Sequence, residues 1–318
     1  MSLTLITGAS GFIGSCLLPC LSKEEFAVRA VVRDLTDGLF KGVQYVRIDD
    51  FNSENDWGQS LYGVDSVVHL AARAHVLRDR AVDPLAEFRL VNVEGTLNLA
   101  RQAALAGVRR FVFISSIGVN GAETFDFPYT SDDQPAPHSP YAVSKYEAEV
   151  GLKKIACETG MDVVIIRPPL VYGPSAPGNF GSLVSWLLRG VPLPLGAVHN
   201  MRSFISLDNL VDLIVTCLNH PAAANQTFLV SDGEDLSTTE LLQRMGRALG
   251  KPARLIPVPV GVMKVVANLL GKGDVAQRLF GSLQVDSSKA RDLLGWKPVV
   301  TVDEALQQTA DAFMVSRK

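Results

Sequence analysis

No basic surplus, no paired cysteines and no long apolar run occur in this chain of 318 residues. Each absence removes a class of protein. The formal net charge is −3, from 30 basic and 33 acidic residues, whereas nucleic-acid binders collect lysine and arginine in excess. Nucleic acid is therefore not an expected partner. The four cysteines, Cys16, Cys20, Cys157 and Cys217, form no CxxC pair and have no histidine cluster nearby, so no metal site is expected. Unpaired thiols in a long chain suit a reducing cytoplasm. No stretch approaches the ~20 apolar residues of a membrane helix. The opening run Met1–Ile6 lacks a basic region and is too short for a signal peptide, so it reads as a strand. Neither a repeat nor a low-complexity segment is present.

What is present is an ordinary folded composition, 47% hydrophobic and 20% charged. The length supports one large domain or two tightly joined ones. Leu3–Thr7, Val28–Val32, Val43–Ile48, Ser66–Leu70, Phe111–Ser115 and Val163–Arg167 read as strands. Several are apolar at consecutive positions, which a strand tolerates when both faces are covered, as in a parallel sheet. Between them, Pro84–Ala106 carries Leu85, Phe88, Val91, Leu97, Ala100 and Ala104 at helical spacing, with Gly107 as a C′ glycine. Cys16 and Cys20 are i,i+4 neighbours on another helix and read as small core-facing residues. This alternation predicts an α/β fold with a doubly wound parallel sheet, the Rossmann arrangement.

The pattern changes after Arg167. Prolines and glycines crowd residues 168–177, followed by a helix (Ser182–Arg189), a turn (Val191–Leu195), a strand (Phe204–Ser206) and a helix (Leu210–Asn219). Ser237-Thr238-Thr239-Glu240 is a capping-box sequence with Ser237 as N-cap and Glu240 at N3. The apolar segment Ile256–Leu270, broken by Pro257, Pro259, Gly261 and Lys264, reads as a buried helix beside the functional cleft. Contact with a membrane surface is its alternative. The expected organisation is a domain over 1–175 with a return segment near 202–230. A smaller C-terminal α/β lobe, 176–201 and 231–318, completes it.

The first strand runs directly into Gly8-Ala9-Ser10-Gly11-Phe12-Ile13-Gly14, which opens a helix. In this GxxGxxG spacing Gly8 permits a tight turn and Gly11 admits a pyrophosphate against bare backbone. Gly14 allows close packing of the helix on the sheet. The helix N-terminus offers unpaired N–H groups to phosphate. Gly8, Ser10, Gly11, Phe12, Ile13 and Gly14 are thus the expected contacts of a dinucleotide in the large domain, and the lobe is left to hold the substrate. The second strand ends in Arg33, with Asp34 next. A guanidinium pairs with a 2′-phosphate and favours NADP. A solvated Arg33 with Asp34 on the ribose would mean NAD. Leu70, Ala71 and Ala72 end the fourth strand with small residues that let backbone pass close to the cofactor. Asp49 or Asp50, after the third strand, is placed to meet the adenine.

Tyr141-Ala142-Val143-Ser144-Lys145 puts Tyr141 and Lys145 at i,i+4, on one side of a helix that Pro137 and Pro140 lead into. Hydride transfer to a carbonyl creates an alkoxide that needs a proton. A tyrosine can supply it if a neighbouring ammonium lowers its pKa from about 10. The strand ending in Ser115-Ser116 adds a hydroxyl for the substrate oxygen.

With these residues in place, the chain resembles the extended short-chain dehydrogenase/reductases of the epimerase/dehydratase group. The matching stretches are TGASGFIG (Thr7–Gly14), HLAA (His69–Ala72), VNVEGTLNL (Val91–Leu99), FVFISS (Phe111–Ser116), YAVSK (Tyr141–Lys145), RPPLVYGP (Arg167–Pro174) and RSFISLDNLVD (Arg202–Asp212). The resemblance implies Ser116, Tyr141 and Lys145 as the catalytic triad. It adds Tyr141, Lys145 and Pro168 to the cofactor contacts, places Asn179 near a nucleotide and Arg202 on a substrate diphosphate, and implies a homodimer. Family dehydratases carry an Asp-Glu pair after the catalytic hydroxyl. Ile117-Gly118 stand there in this chain and cannot move a proton, which disfavours dehydration. Apolar residues around Leu170 replace an epimerase asparagine, and Val28–Asp34 resembles NADPH-using ketoreductases. The expected activity is NADPH-dependent reduction of a UDP-4-keto-6-deoxy-N-acetylhexosamine for surface polysaccharide. An NAD-dependent UDP-sugar 4-epimerase is the alternative, and a non-catalytic NADP-binding module the second alternative.

Overall fold

The apolar runs become strands within a residue or so of their expected limits. A computed structural model describes residues 2–24, 26–34, 40–74 and 82–315, apart from the side chains at positions 179 and 274. Strands β1 (Leu3–Thr7), β2 (Ala27–Val32), β3 (Val43–Arg47), β4 (Ser66–His69), β5 (Arg110–Ile114) and β6 (Asp162–Arg167) are joined by β9 (Thr227–Leu229) in one seven-stranded sheet. Its order is β3-β2-β1-β4-β5-β6-β9, and every pairing is parallel. Every residue of β4 and β5 is buried, as consecutive apolar residues require.

Helices cover both faces. On one side α1 (Gly14–Lys23) and α7 (Leu207–Asn219) bury Leu17, Leu21, Leu210 and Ile214 against the sheet. On the other lie α2 (Gly58–Leu61), α3 (Pro84–Arg89), α4 (Thr96–Leu105) and α5 (Pro140–Thr159), with Leu61, Leu99 and Leu152 in the core. Cys16 and Cys20 are partly buried and pack at the edge of the first of these cores.

A second sheet of three strands is formed by β7 (Leu170–Tyr172), β8 (Arg202–Ser206) and β10 (Asp235–Leu236). Together with α6 (Gly178–Leu188), α8 (Thr238–Ala248), α9 (Val260–Leu269) and α12 (Val302–Val315) it surrounds a separate core that includes Leu187, Leu236, Met245 and Leu306. Two further helices, α10 (Gly273–Phe280) and α11 (Ser288–Leu294), lie between α9 and α12 in the chain.

Three local features depart from expectation. The stretch Pro84–Ala106 is interrupted by a π turn at Leu90–Gly95. Phe88 and Ala100 are buried as expected, and the wider turn brings Asn92, Leu99 and Ala103 in beside them, so a polar residue joins the inner face. Such turns recur at functional sites. Ser237 caps α8 by accepting from the Glu240 N–H at 3.0 Å. The Glu240 carboxylate accepts instead from Arg244, at 2.9 Å, so only half of the box forms. Finally, α9 is not a buried helix. Met263 is buried and Val260 packs partly against the core, while Val262, Val265, Val266 and Leu269 stay exposed. Among the described residues no helix is long and apolar enough to cross a membrane.

Candidate active site

The chain winds from β1 outward through β2 and β3, then returns to start β4 on the opposite side of β1. At such a switch point the loops leaving adjacent strands diverge and open a crevice at their carboxyl ends. The register brings those ends level: Thr7 pairs with both Val31 and His69. The Gly8 turn, Arg33 and Leu70 therefore leave the sheet side by side.

Gly8 adopts φ +69°. A Cβ there would lie 2.7 Å from the Ala71 nitrogen and 2.9 Å from the Leu70 carbonyl carbon, so only glycine lets the turn pass the end of β4. Gly14 serves a purpose other than the one expected. A Cβ there would collide with the Gly8 carbonyl and lie 2.6 Å from the Ala9 oxygen; the glycine packs against its own turn rather than the sheet. Around Gly11 only the Gly8 oxygen comes within 4 Å of a would-be Cβ. Ser10 and Gly11 are exposed, and Phe12 and Ile13 half-buried. A bare backbone turn, open outward at the start of a helix, fits a dinucleotide pyrophosphate. Arg33 stands exposed just past β2, and Ala72 follows Ala71 half-buried after β4. Asp49 is exposed and paired with Arg47 at 3.2 Å. The side chain of Asn179, in the first turn of α6, lies outside the described residues.

Ser139 caps α5 by accepting from the Ala142 N–H at 3.2 Å, and Pro140 occupies the first turn. Tyr141 and Lys145 thus sit at the helix start. The Lys145 ammonium lies 6.0 Å from the Tyr141 ring centre and 4.4 Å from that of Phe113, and it donates to the Ile114 carbonyl at 2.8 Å. Lys145 is only 1% exposed. Burial holds its pKa down to about 7, against a smaller upward pull from Glu149. The expectation that Lys145 lowers the Tyr141 pKa is corrected here: burial pushes the phenol up to about 12.

The two serines after β5 diverge. Ser115 is buried and donates to Glu149 at 2.5 Å. Ser116 is half-buried, and its Oγ accepts from the Gly118 N–H at 3.1 Å. Pro168, buried after β6, accepts from the Ile117 N–H at 3.0 Å and fixes this turn.

Three supports were not picked out in the sequence. Asn92, in the π turn, binds the N–H of Arg73 at 2.8 Å and the hydroxyl of Ser144 at 3.0 Å. It ties the loop after β4 to the helix that carries Lys145. Its signal was a polar residue on an apolar helical face. His69 is buried between Thr7 (2.6 Å) and Thr96 (2.8 Å) and stacked on Phe51 and Phe113. Burial, with the nearby Lys145 charge, holds its pKa well below the usual histidine value. Beneath α5, Arg167 makes a bidentate pair with Glu149 at 2.9 and 2.5 Å, and both are almost fully buried.

Across the cleft, Arg202 at the start of β8 is half-buried and donates to the Gly281 carbonyl at 2.9 Å. No acid among the described residues pairs with it. Burial and the neighbouring Arg278 hold its pKa down to about 10. Two neighbouring guanidiniums with no carboxylate paired to them among the described residues suit a phosphate-bearing ligand. Arg278, on α10, gave no signal in the sequence because α10 meets β8 only through the fold.

A doubly wound sheet, a glycine turn at its switch point and a Ser–Tyr–Lys cluster beside it define a dinucleotide-dependent enzyme of the short-chain dehydrogenase/reductase type. Residues 4–231 match the NAD dependent epimerase/dehydratase family, and the chain belongs to that family. A Vibrio cholerae protein named UDP-glucose 4-epimerase is 46% identical, over 98% of this chain and 95% of its own. An Escherichia coli O157:H7 relative, named N-acetyl-alpha-D-glucosaminyl-diphospho-ditrans,octacis-undecaprenol 4-epimerase, is 28% identical over 99% of this chain and 96% of its own. Among solved structures, MoeE5 in complex with UDP-glucose and NAD aligns with TM-score 0.79 and 25% identity, over 99% of each chain.

Proposed function

We propose that the chain interconverts the C4 epimers of a UDP-hexose with NAD as its resident cofactor. The observation that carries this reading is the 46% identity, spread over 98% of the chain, to the Vibrio cholerae UDP-glucose 4-epimerase. The neighbour that holds UDP-glucose with NAD supports it. The ketoreductase expected first gives way to the alternative. Residues alone ordered the two poorly because both reactions use the same hydroxyl and ammonium groups. They differ in whether the sugar leaves after one hydride transfer or stays for a second.

When bound, NAD supplies a positively charged hydride acceptor that later returns the hydride. Tyr141 takes the proton of the sugar 4-hydroxyl as the C4–H bond breaks. Ser116 hydrogen-bonds that oxygen while it becomes a carbonyl. Lys145 holds the ribose and adds positive charge beside the phenolate. With the cofactor bound, Tyr141 would give the proton back as hydride returned to the opposite face of C4, which would invert the centre without net oxidation. Ile117 and Gly118 offer no acid for eliminating water.

In this reading Gly8, Ser10, Gly11, Phe12, Ile13 and Gly14 receive the pyrophosphate, Leu70–Ala72 and Pro168 flank the cofactor, and Asp49 lies toward the adenine. Asp34 beside Arg33 serves the ribose diol. Residues 1–175 and the return segment near 202–230 serve as the cofactor domain, less β7 and β8, whose sheet packs with the lobe. The lobe of 176–201 and 231–318 holds the sugar nucleotide, with Asn179 toward the nucleotide and Arg202 and Arg278 toward the diphosphate. A cytoplasmic homodimer supplying surface-polysaccharide precursors is the setting that this reading implies. A sugar diphosphate on a polyprenol carrier is a second reading. The E. coli relative's name and the apolar surface of α9 beside α10 favour it.

The test is to incubate the purified chain with UDP-glucose, quantify UDP-galactose, and identify the nucleotide released on denaturation. Interconversion with NAD released is expected. No interconversion, with stoichiometric NADPH oxidation by a UDP-4-keto-6-deoxy-N-acetylhexosamine, would restore the ketoreductase.

A further inference from the structure

The helix α9 turns an apolar stripe to water. Val262, Val265, Val266 and Leu269 recur at i, i+3, i+4 and i+7, the spacing of one helix face, and are 55%, 60%, 49% and 82% exposed. Leu270 extends the patch toward α10 at 66% exposure. Contiguous exposed apolar surface of this kind marks an interaction site.

Charge indicates what covers it. Residues 251–280 hold five basic residues and a single acid, Asp274, although the whole chain carries −3. Lys264, on α9, and Lys272, at the start of α10, are exposed. An exposed apolar stripe in a segment of net positive charge fits an anionic bilayer: the valines and leucines enter the acyl boundary while the ammonium groups reach the phosphates. A second copy of the chain fits less well. Two-fold pairing would bring two positively charged segments together, with Asp274 the single acid of each to offset five basic residues. The ten residues of α9 span about 15 Å, half of the ~30 Å hydrocarbon thickness, so the helix lies in the interface and does not cross.

We propose that α9 and the start of α10 form a peripheral docking surface for anionic membrane. Its position ties it to the cleft, because α10 leads into Gly281, whose carbonyl accepts from Arg202. A docked chain holds the Arg202 end of its substrate lobe close to the lipid. The surface stands or falls apart from the sugar chemistry, since vesicle binding needs no substrate.

The test is co-sedimentation of the purified full chain with vesicles of phosphatidylcholine alone and of phosphatidylcholine with phosphatidylglycerol. Two paired variants, Val265→Asp with Leu269→Asp and Lys264→Glu with Lys272→Glu, are run beside it. Thermal melts and turnover of soluble UDP-glucose report that the variants remain folded. The parent chain is expected to pellet with the anionic vesicles only. Each paired variant should lower the bound fraction by about tenfold while the soluble readouts hold. A parent chain that stays in the supernatant with anionic vesicles overturns the proposal. So do variants that pellet as well as the parent. If the aspartate pair instead converts a dimer to a monomer in sedimentation velocity, with no change in vesicle binding, the surface belongs to a second copy of the chain.

Discussion

Replacing Lys145 by methionine should make the nucleotide-free protein more stable while abolishing turnover. Burial carries the ammonium from its ordinary 10.5 to about 7, which corresponds to about 5 kcal/mol at ~1.4 kcal/mol per pKa unit. Methionine fills the same slot without charge. It loses the bond to the Ile114 carbonyl and the approach to the Phe113 ring, together about 1–2 kcal/mol. The net gain is about 3 kcal/mol where the ammonium is protonated in both states. Because the folded pKa lies below the unfolded one, the folded state bears the full cost of charge below about pH 7. Between that pH and 10.5 the unfolded chain keeps a proton that the folded chain has released, so wild-type stability rises with pH through this window. The advantage of Lys145→Met is therefore greatest near pH 6 and shrinks to roughly zero by about pH 9. Urea unfolding of both proteins, stripped of nucleotide, across that range measures it. A variant midpoint no higher than wild type at the acid end, or a difference that does not change with pH, would refute the argument that desolvation of Lys145 dominates.

Tyr141→Phe should lower turnover by about a thousandfold and leave NAD affinity, followed by fluorescence titration, nearly unchanged; retained turnover places the proton carrier elsewhere. Gly14→Ala forces a methyl into the Gly8 and Ala9 carbonyls and should cost about 1–3 kcal/mol, seen as a lower melting temperature together with weaker NAD binding. An unchanged melt would mean that the turn relaxes freely. Glu149→Gln leaves the Arg167 guanidinium buried without its counter-charge and should cost about 3–5 kcal/mol in urea unfolding. A loss below about 1 kcal/mol would be the behaviour of an exposed pair, and would show that water reaches Arg167.

Much of this was legible in the order of residues. Consecutive apolar positions in Ser66–Leu70 and Phe111–Ser115 announced strands covered on both faces, and the sheet buries every residue of β4 and β5. The glycine spacing after the first strand and the Tyr141–Lys145 interval are local, so chain geometry alone places them. What escaped were features decided by partners far along the chain. Asn92 is meaningful only because a π turn aims it at Arg73 and Ser144, and Arg278 only because α10 meets β8. The apolar pattern of Ile256–Leu270 suits a buried helix and an exposed one equally, since hydrophobic spacing records which face is apolar and not what lies against it.

The sequence by itself determined the parallel sheet, the glycine turn and the Tyr141–Lys145 spacing, because strand period, glycine φ freedom and i,i+4 spacing act over a few residues. Tertiary structure decided that Ser116 and not Ser115 meets the cleft, since Glu149 and Arg167 draw Ser115 inward. It also decided that burial, rather than the charge beside it, governs Tyr141, because the solvent lost by a side chain depends on every element packed around it.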